Sequence, residues 1–121
     1  MKQHFREFIG FLVIALSLFG FVSAFAGDAV APGQKLFVSK CAQCHDKDAK
    51  GNVKMAKILK VDPIKVDLTR AEAVSLTSDQ TETIVANGQN KMPKFSAKLT
   101  ADQIKSIVAY LKILQAAPAA N

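Results

Sequence analysis

From Thr100 onward apolar residues return at intervals of three and four: Ile104, Ile107, Val108, Leu111 and Leu114. That spacing draws one stripe along a helix. Thr100-Ala101-Asp102-Gln103 marks its start, with a hydroxyl at the N-cap and an amide three residues on, the pattern of a capping box. Thr77-Ser78-Asp79-Gln80 repeats the device, and the helix it opens is expected to stop near Asn87-Gly88. Upstream, Gly33, Leu36, Phe37, Lys40, Cys41 and Cys44 share one side of a helix predicted over 32–44, with Pro32 in the first turn. Residues 49–52 read as a turn. A short amphipathic helix is predicted over 53–60, where Met55, Ile58 and Leu59 alternate with Lys54, Lys57 and Lys60. Helical spacing makes core packing the default role of Met55. Residues 61–70 contain Pro63 and read as irregular. Nothing alternates with the period of a strand, so the fold class is all-α, built from short helices and loops.

The first 26 residues follow another logic. Lys2 and Arg6 precede the apolar run FIGFLVIALSLFGFV, and Ala24-Phe25-Ala26 places small residues where a signal peptidase reads. This is a secretory leader, with cleavage expected after Ala26. The alternative is a retained anchor, because Phe8 to Ala26 is nineteen residues and nearly long enough to span a bilayer. Removing 26 of the 121 residues leaves 95, one small domain over 27–115 with a frayed tail over 116–121. Six of the eight phenylalanines leave with the leader, so Phe37, Phe95 and Tyr110 are the remaining aromatics. That is a thin core, and chains this small often add a disulfide, metal or cofactor. His4 also leaves, which makes His45 the single histidine. The net charge of +6 loses the net +1 of Lys2, Arg6 and Glu7, leaving +5.

Cys41-Ala42-Gln43-Cys44-His45 holds both cysteines of the chain and that histidine. Four chemistries compete for it. A disulfide suits an exported protein but leaves His45 unexplained, and so short a loop stabilises little. A thioredoxin-like redox pair requires a βαβ setting that the pattern lacks. Zinc requires four ligands, and here only two thiols and one imidazole stand together, so carboxylates would have to complete the set. Covalent haem uses every residue: two thiols form thioethers with the vinyl groups, and the imidazole behind them ligates iron. One haem c would also supply the apolar bulk that the aromatics do not.

With no second histidine in the mature chain, methionine is the expected sixth ligand, and Met55 and Met92 are available. Met92 lies in Gly88-Gln89-Asn90-Lys91-Met92-Pro93-Lys94-Phe95, between two predicted helices. Pro93 restricts Met92 to extended geometry, which helps present the thioether. Met92 is therefore the expected ligand, with Met55 in the core.

Pro32 to Gln115, 84 of the 121 residues, resembles the small bacterial class I cytochromes c, which carry one haem. GQKLFVSKCAQCH (33–45) is similar to that family's N-terminal helix and haem motif, GQNKMPKF (88–95) to its methionine loop, and LTADQIKSIVAYLKIL (99–114) to its C-terminal helix. The resemblance implies a cytochrome c-like bundle of short helices around the haem, with first and last helices crossing so that Gly33 and Phe37 meet the last helix near Tyr110. It also implies a one-electron carrier with His45 and Met92 as axial ligands, and not an enzyme. Family members often supply the carbonyl that orients the ligand histidine from a proline soon after the motif. Here the first proline is Pro63, eighteen residues on, and it is taken as the provisional source.

Lys47, Lys50, Lys54, Lys57 and Lys60 follow His45, and Lys91, Lys94 and Lys98 surround Met92. Together they predict a positive face that steers toward acidic patches on larger redox proteins, expected to be respiratory, or toward anionic membrane surfaces. Nucleic acid is a poor partner for an exported chain without an aromatic stacking platform. A monomer in the periplasm is the expectation. The competing function is a haem-based sensor or small-molecule catalyst with an open sixth position, for which His45 alone would be permanent. For the leader, mass spectrometry of the periplasmic protein should give a chain starting near Gly27 and heavier by one haem. Recovery at full precursor length in membranes would identify an anchor instead.

Overall fold

In the computed structural model, residues 27–117 are described; the leader expected over 1–26 and residues 118–121 of the expected tail lie outside them. Six α-helices follow one another: α1 Gly27–Lys40, α2 Ala42–His45, α3 Val53–Leu59, α4 Ala71–Val74, α5 Ser78–Asn87 and α6 Ala101–Ala116. A 3₁₀ turn, Pro63–Lys65, lies between α3 and α4. Among the described residues the only β-type pairing is an isolated bridge between Gln89 and Met92, and the all-α class holds.

Both capping boxes form with reciprocal bonds. Thr77 Oγ1 accepts from the Gln80 amide at 3.2 Å while Gln80 Oε1 accepts from the Thr77 amide at 2.9 Å. Thr100 and Gln103 repeat the pair at the same distances. Each box satisfies N–H groups that a helix start leaves without partners. Helix α5 stops where expected, at Gly88 with φ of +75°.

The core is the meeting of α1 with α6, and of α6 with α5. Phe37, Ile107 and Val108 are its most deeply buried large side chains, joined by Cys41, Val85, Phe95, Leu99, Ile104 and Leu111. The predicted stripe of α6 is thus the buried face, with Leu114 packed at its edge. The α1–α6 crossing leaves no room for a side chain at Gly33. A Cβ placed on Gly33 would lie 2.0 Å from the Ser106 carbonyl oxygen and 3.2 Å from Tyr110 Cβ. One turn on, Phe37 meets the Tyr110 ring edge-on, with centroids 5.7 Å apart and planes at 63°. The expected contact of Gly33 and Phe37 with the last helix is present.

Three details differ from the sequence reading. Helix α1 begins five residues before Pro32, whose ring sits inside the helix and removes the one N–H that would bond to the carbonyl four residues back. The helix breaks at Cys41, and α2 restarts at Ala42. In α3 the stripe of Met55, Ile58 and Leu59 is not core: only Ala56 is buried, Met55 and Leu59 are half-buried, and Ile58 is 71% exposed. A seven-residue helix between two loops has little neighbouring surface against which to bury such a stripe.

Gly33→Ala tests the crossing. The new methyl cannot occupy the position of a backbone carbonyl, so the helices must part. Overpacking of this kind costs about 1–3 kcal/mol, and more here because the obstacle is backbone, outweighing the roughly 1 kcal/mol gain in helix propensity. Denaturant unfolding of the haem-loaded protein should show a clear net loss of stability. An unchanged midpoint would mean that the crossing is looser than the structure shows.

Candidate functional site

Three segments carry or support the candidate residues: residues 41–45 at the end of the first helical stretch, the loop around Val66, and the loop from Gly88 to Phe95. Cys41 is buried in the main apolar cluster and Cys44 is half-buried, and no disulfide joins them. Burial, with Cys44 adding to it, pushes the Cys41 thiol up to about 11. The free chain therefore presents this sulfur as a neutral thiol, held one helical turn from its partner by the Cys44 and His45 amides, which both bond to the Cys41 carbonyl at 3.1 and 3.0 Å.

His45 is fixed from two sides. Its carbonyl accepts from the Gly51 amide at 2.8 Å, and its Nδ1 lies 2.8 Å from the Val66 carbonyl. A carbonyl can only accept, so Nδ1 carries the proton and the lone pair of the neutral ring is on Nε2. Burial holds the imidazole below the usual histidine range; the bond to Val66 opposes this and the charge of Arg70 reinforces it. A neutral ring with its lone pair on Nε2 and its other nitrogen anchored is the form required of an iron ligand. The orienting carbonyl belongs to Val66 and not to Pro63. Pro63 instead opens the 3₁₀ turn, and its own carbonyl accepts the Val66 amide at 3.2 Å.

Gly51 allows this approach. Its φ is +91°, and a Cβ there would lie 3.0 Å from both the Asp67 nitrogen and the Val66 carbonyl carbon. Asn52 is a second residue with a structural role at the site. Its side chain accepts from the Met55 amide at 3.1 Å as N-cap of α3, and its Nδ2 donates to the Gln43 carbonyl at 3.1 Å. An Asn directly before a periodic run is an N-cap pattern and was legible as such. Its reach back to the Cys41–His45 segment was not.

The Met92 loop is tightly built. The Gln89 and Met92 backbones bond to each other at 3.1 and 2.8 Å, and Asn90 takes a φ of +53° to close the turn. The loop folds over Gly88, where a Cβ would meet the Met92 carbonyl oxygen at 2.6 Å. Phe95 and Ser96 amides then bond back to the Val85 and Ala86 carbonyls of α5, both at 3.1 Å. Met92 is half-buried and packs against the same apolar cluster that contains Cys41 and Phe95. Met55 does not belong to that cluster.

Among the described residues no group of three or more His, Cys, Asp or Glu side chains is gathered as a metal would need, so the zinc reading lacks its donor set. The arrangement fits covalent haem: two unpaired thiols one turn apart and an oriented imidazole beside them. Comparison with known proteins agrees. Residues 28–111 match the family described as cytochrome c oxidase, cbb3-type, subunit III. The chain is 38% identical over 109 residues to cytochrome c6 of Gloeothece citriformis, covering 88% of this chain and 92% of that one. It is 43% identical over 88 residues to cytochrome c6 of Rippkaea orientalis (73% and 72% covered), and 39% identical over 102 residues to that of a Nostoc species (83% and 84%). The chain belongs to the small class I monohaem c-type cytochromes. It is a c-type cytochrome electron carrier with one covalently bound haem c, for which Cys41 and Cys44 form a fitting attachment motif.

All eight lysines predicted to form the positive face, at 47, 50, 54, 57, 60, 91, 94 and 98, are exposed. The one ion pair among the described residues is Arg70 with Glu72, so no carboxylate neutralises any of them by direct contact. Nearby carboxylates serve the backbone instead: Asp46, Asp48, Asp62 and Asp67 each accept an amide within two residues.

Proposed function

We propose that the protein is a periplasmic one-electron carrier in which Cys41 and Cys44 hold the haem through thioethers and His45 and Met92 are the axial ligands of its iron. The observation that carries this reading is the pairing of a histidine whose Nδ1 is already engaged with a methionine packed on the Cys41 cluster. Bound haem supplies a one-electron ferric/ferrous couple. The chain's own part is to keep the Nε2 lone pair available, to present a thioether from a loop with little freedom, and to shelter the site with apolar side chains. A thioether as sixth ligand raises the reduction potential relative to two histidines. Export rests on the leader, and among the described residues no helix is long and apolar enough to cross a membrane. The exposed lysines support a partner with an acidic docking surface, met as a monomer in a transient encounter. A carrier of this kind shuttles electrons between larger redox proteins and does not itself turn over a substrate.

The decisive comparison is Met92→Ala against Met55→Ala in the purified holoprotein. Loss of Met92 should abolish the weak charge-transfer band at the red end of the ferric spectrum, lower the potential, and let cyanide or carbon monoxide bind faster, since no internal bond has to break. Covalent attachment should survive. Met55→Ala should keep the band and cost about 1 kcal/mol of stability, less than the roughly 2–5 kcal/mol of a fully buried methionine. Exchanged behaviours would make Met55 the ligand. A spectrum indifferent to both would favour a sensor or catalyst with an open position.

The lysine face makes a separate expectation. Electrostatic reach shrinks to about 8 Å at physiological salt, so electron transfer to an acidic partner should slow steeply as ionic strength rises. Lys94→Glu should slow association with little change in potential. A rate indifferent to salt, measured by stopped flow, would reduce these lysines to ordinary solvated surface.

A further inference from the structure

Val66 provides the carbonyl on which His45 rests, and the carbonyls on either side of it are met by side chains. Arg70 Nη1 donates to the Asp67 carbonyl at 2.7 Å and reaches the Lys65 carbonyl at 3.4 Å. These are the residues directly after and before Val66. One step further, Gln115 Nε2 donates to the Leu68 carbonyl at 2.8 Å. Four consecutive carbonyls, 65 to 68, thus each meet a side-chain nitrogen, and His45 is one of those donors. The Val66 carbonyl belongs to the peptide unit between residues 66 and 67. Peptide units are planar and turn only about the dihedrals between them. Arg70 holds the unit before this one and the unit after it, which leaves the middle unit little freedom to rotate.

The rest of the guanidinium accounts for little. Its Nε bonds to Glu72 Oε2 at 3.0 Å, but the Glu72 side chain is 79% exposed against 22% for Arg70. An exposed ion pair of this type stabilises weakly. The bonds to the two carbonyls, short and part-buried at Asp67 and longer and exposed at Lys65, are the ones that fix backbone, and a planar fork with several N–H groups in set directions suits that task better than an ammonium.

We propose that Arg70 is a positioning residue for the iron-ligating histidine: by pinning the carbonyls on both sides of Val66, it keeps the Val66 carbonyl on His45 Nδ1 and so fixes the tautomer and the aim of Nε2. The proposal rests on His45 being the iron ligand.

The test is the exchange rate of the His45 Nδ1 proton with solvent, followed by NMR in the ferrous holoprotein. Arg70→Lys keeps the charge and loses the fork; Arg70→Ala loses both. Each should accelerate Nδ1–H exchange by about tenfold or more, the scale expected for losing a charge-assisted hydrogen bond. The amides of Ile107 and Val108 in α6 should keep their wild-type rates, and Glu72→Gln should change nothing. Should Arg70→Ala fail to fold, Arg70→Lys decides alone. An unmoved Nδ1 rate in Arg70→Lys overturns the positioning role, as does an equal acceleration of the α6 amides, which would mark general loosening. If the wild-type protein shows no haem-shifted His45 proton at all, the ligand assignment falls first and this proposal with it.

Discussion

The close crossing of α1 and α6 is the constraint from which the other positions follow. Gly33 gives up its side chain so that the Ser106 carbonyl can occupy that space, and Phe37 and Tyr110 then lock the angle one turn away. Cys41 follows Phe37 by one turn, its amide bonded to the Phe37 carbonyl at 2.8 Å, and so it inherits its place from the crossing. Helix α5 packs on the other flank of α6 and sends out the Met92 loop from its C-terminal end. Cys41 and the Met92 loop are therefore both referred to a single helix, although residues 41 and 92 are far apart in sequence. Helix packing leaves few choices once two backbones touch, because interiors have the density of crystals.

Between these helices lie long connections with little regular structure, and they are held by side chains bonding to backbone carbonyls. Lys112 Nζ donates to the Leu76 carbonyl at 2.6 Å, and Gln115 to that of Leu68, so the last turns of α6 also hold the segment after the 3₁₀ turn. Asn52 does the same for the loop that follows His45. Bonds of this kind suit a chain with few aromatics. Each ties down a loop without needing apolar volume, and each relieves a carbonyl that would otherwise face desolvation unpaired.

This explains what could be read in advance. The crossing at Gly33 was implied by the resemblance to the class I cytochromes c, while the caps of α5 and α6 and the stripe of α6 depend on residue types at fixed spacing and were legible. The attachment motif was legible for the same reason. The carbonyl that orients His45 was not, because every residue except the position itself offers the same group. The family's habit of using a proline drew attention to residue 63, while Val66 carries no mark of its role. The misreading of α3 has a different origin. Periodicity shows that a helix has an apolar side but not that another helix of the chain packs against it, and no other helix buries Ile58.

The distribution of charge follows from the same loop-rich architecture. Turns need acceptors for their backbone amides, and Asp46, Asp48, Asp62 and Asp67 fill that need within two residues of themselves. A carboxylate bound to its own backbone holds a local position and is not free to swing toward a lysine several residues away. The eight lysines of the expected positive face, on long stems with no such local use, remain exposed and outside any ion pair among the described residues. Coulombic steering depends on the net charge over a face and not on any one pair: the four aspartates keep their charge while bonded to amides, and what favours a positive face is that the eight lysines outnumber them.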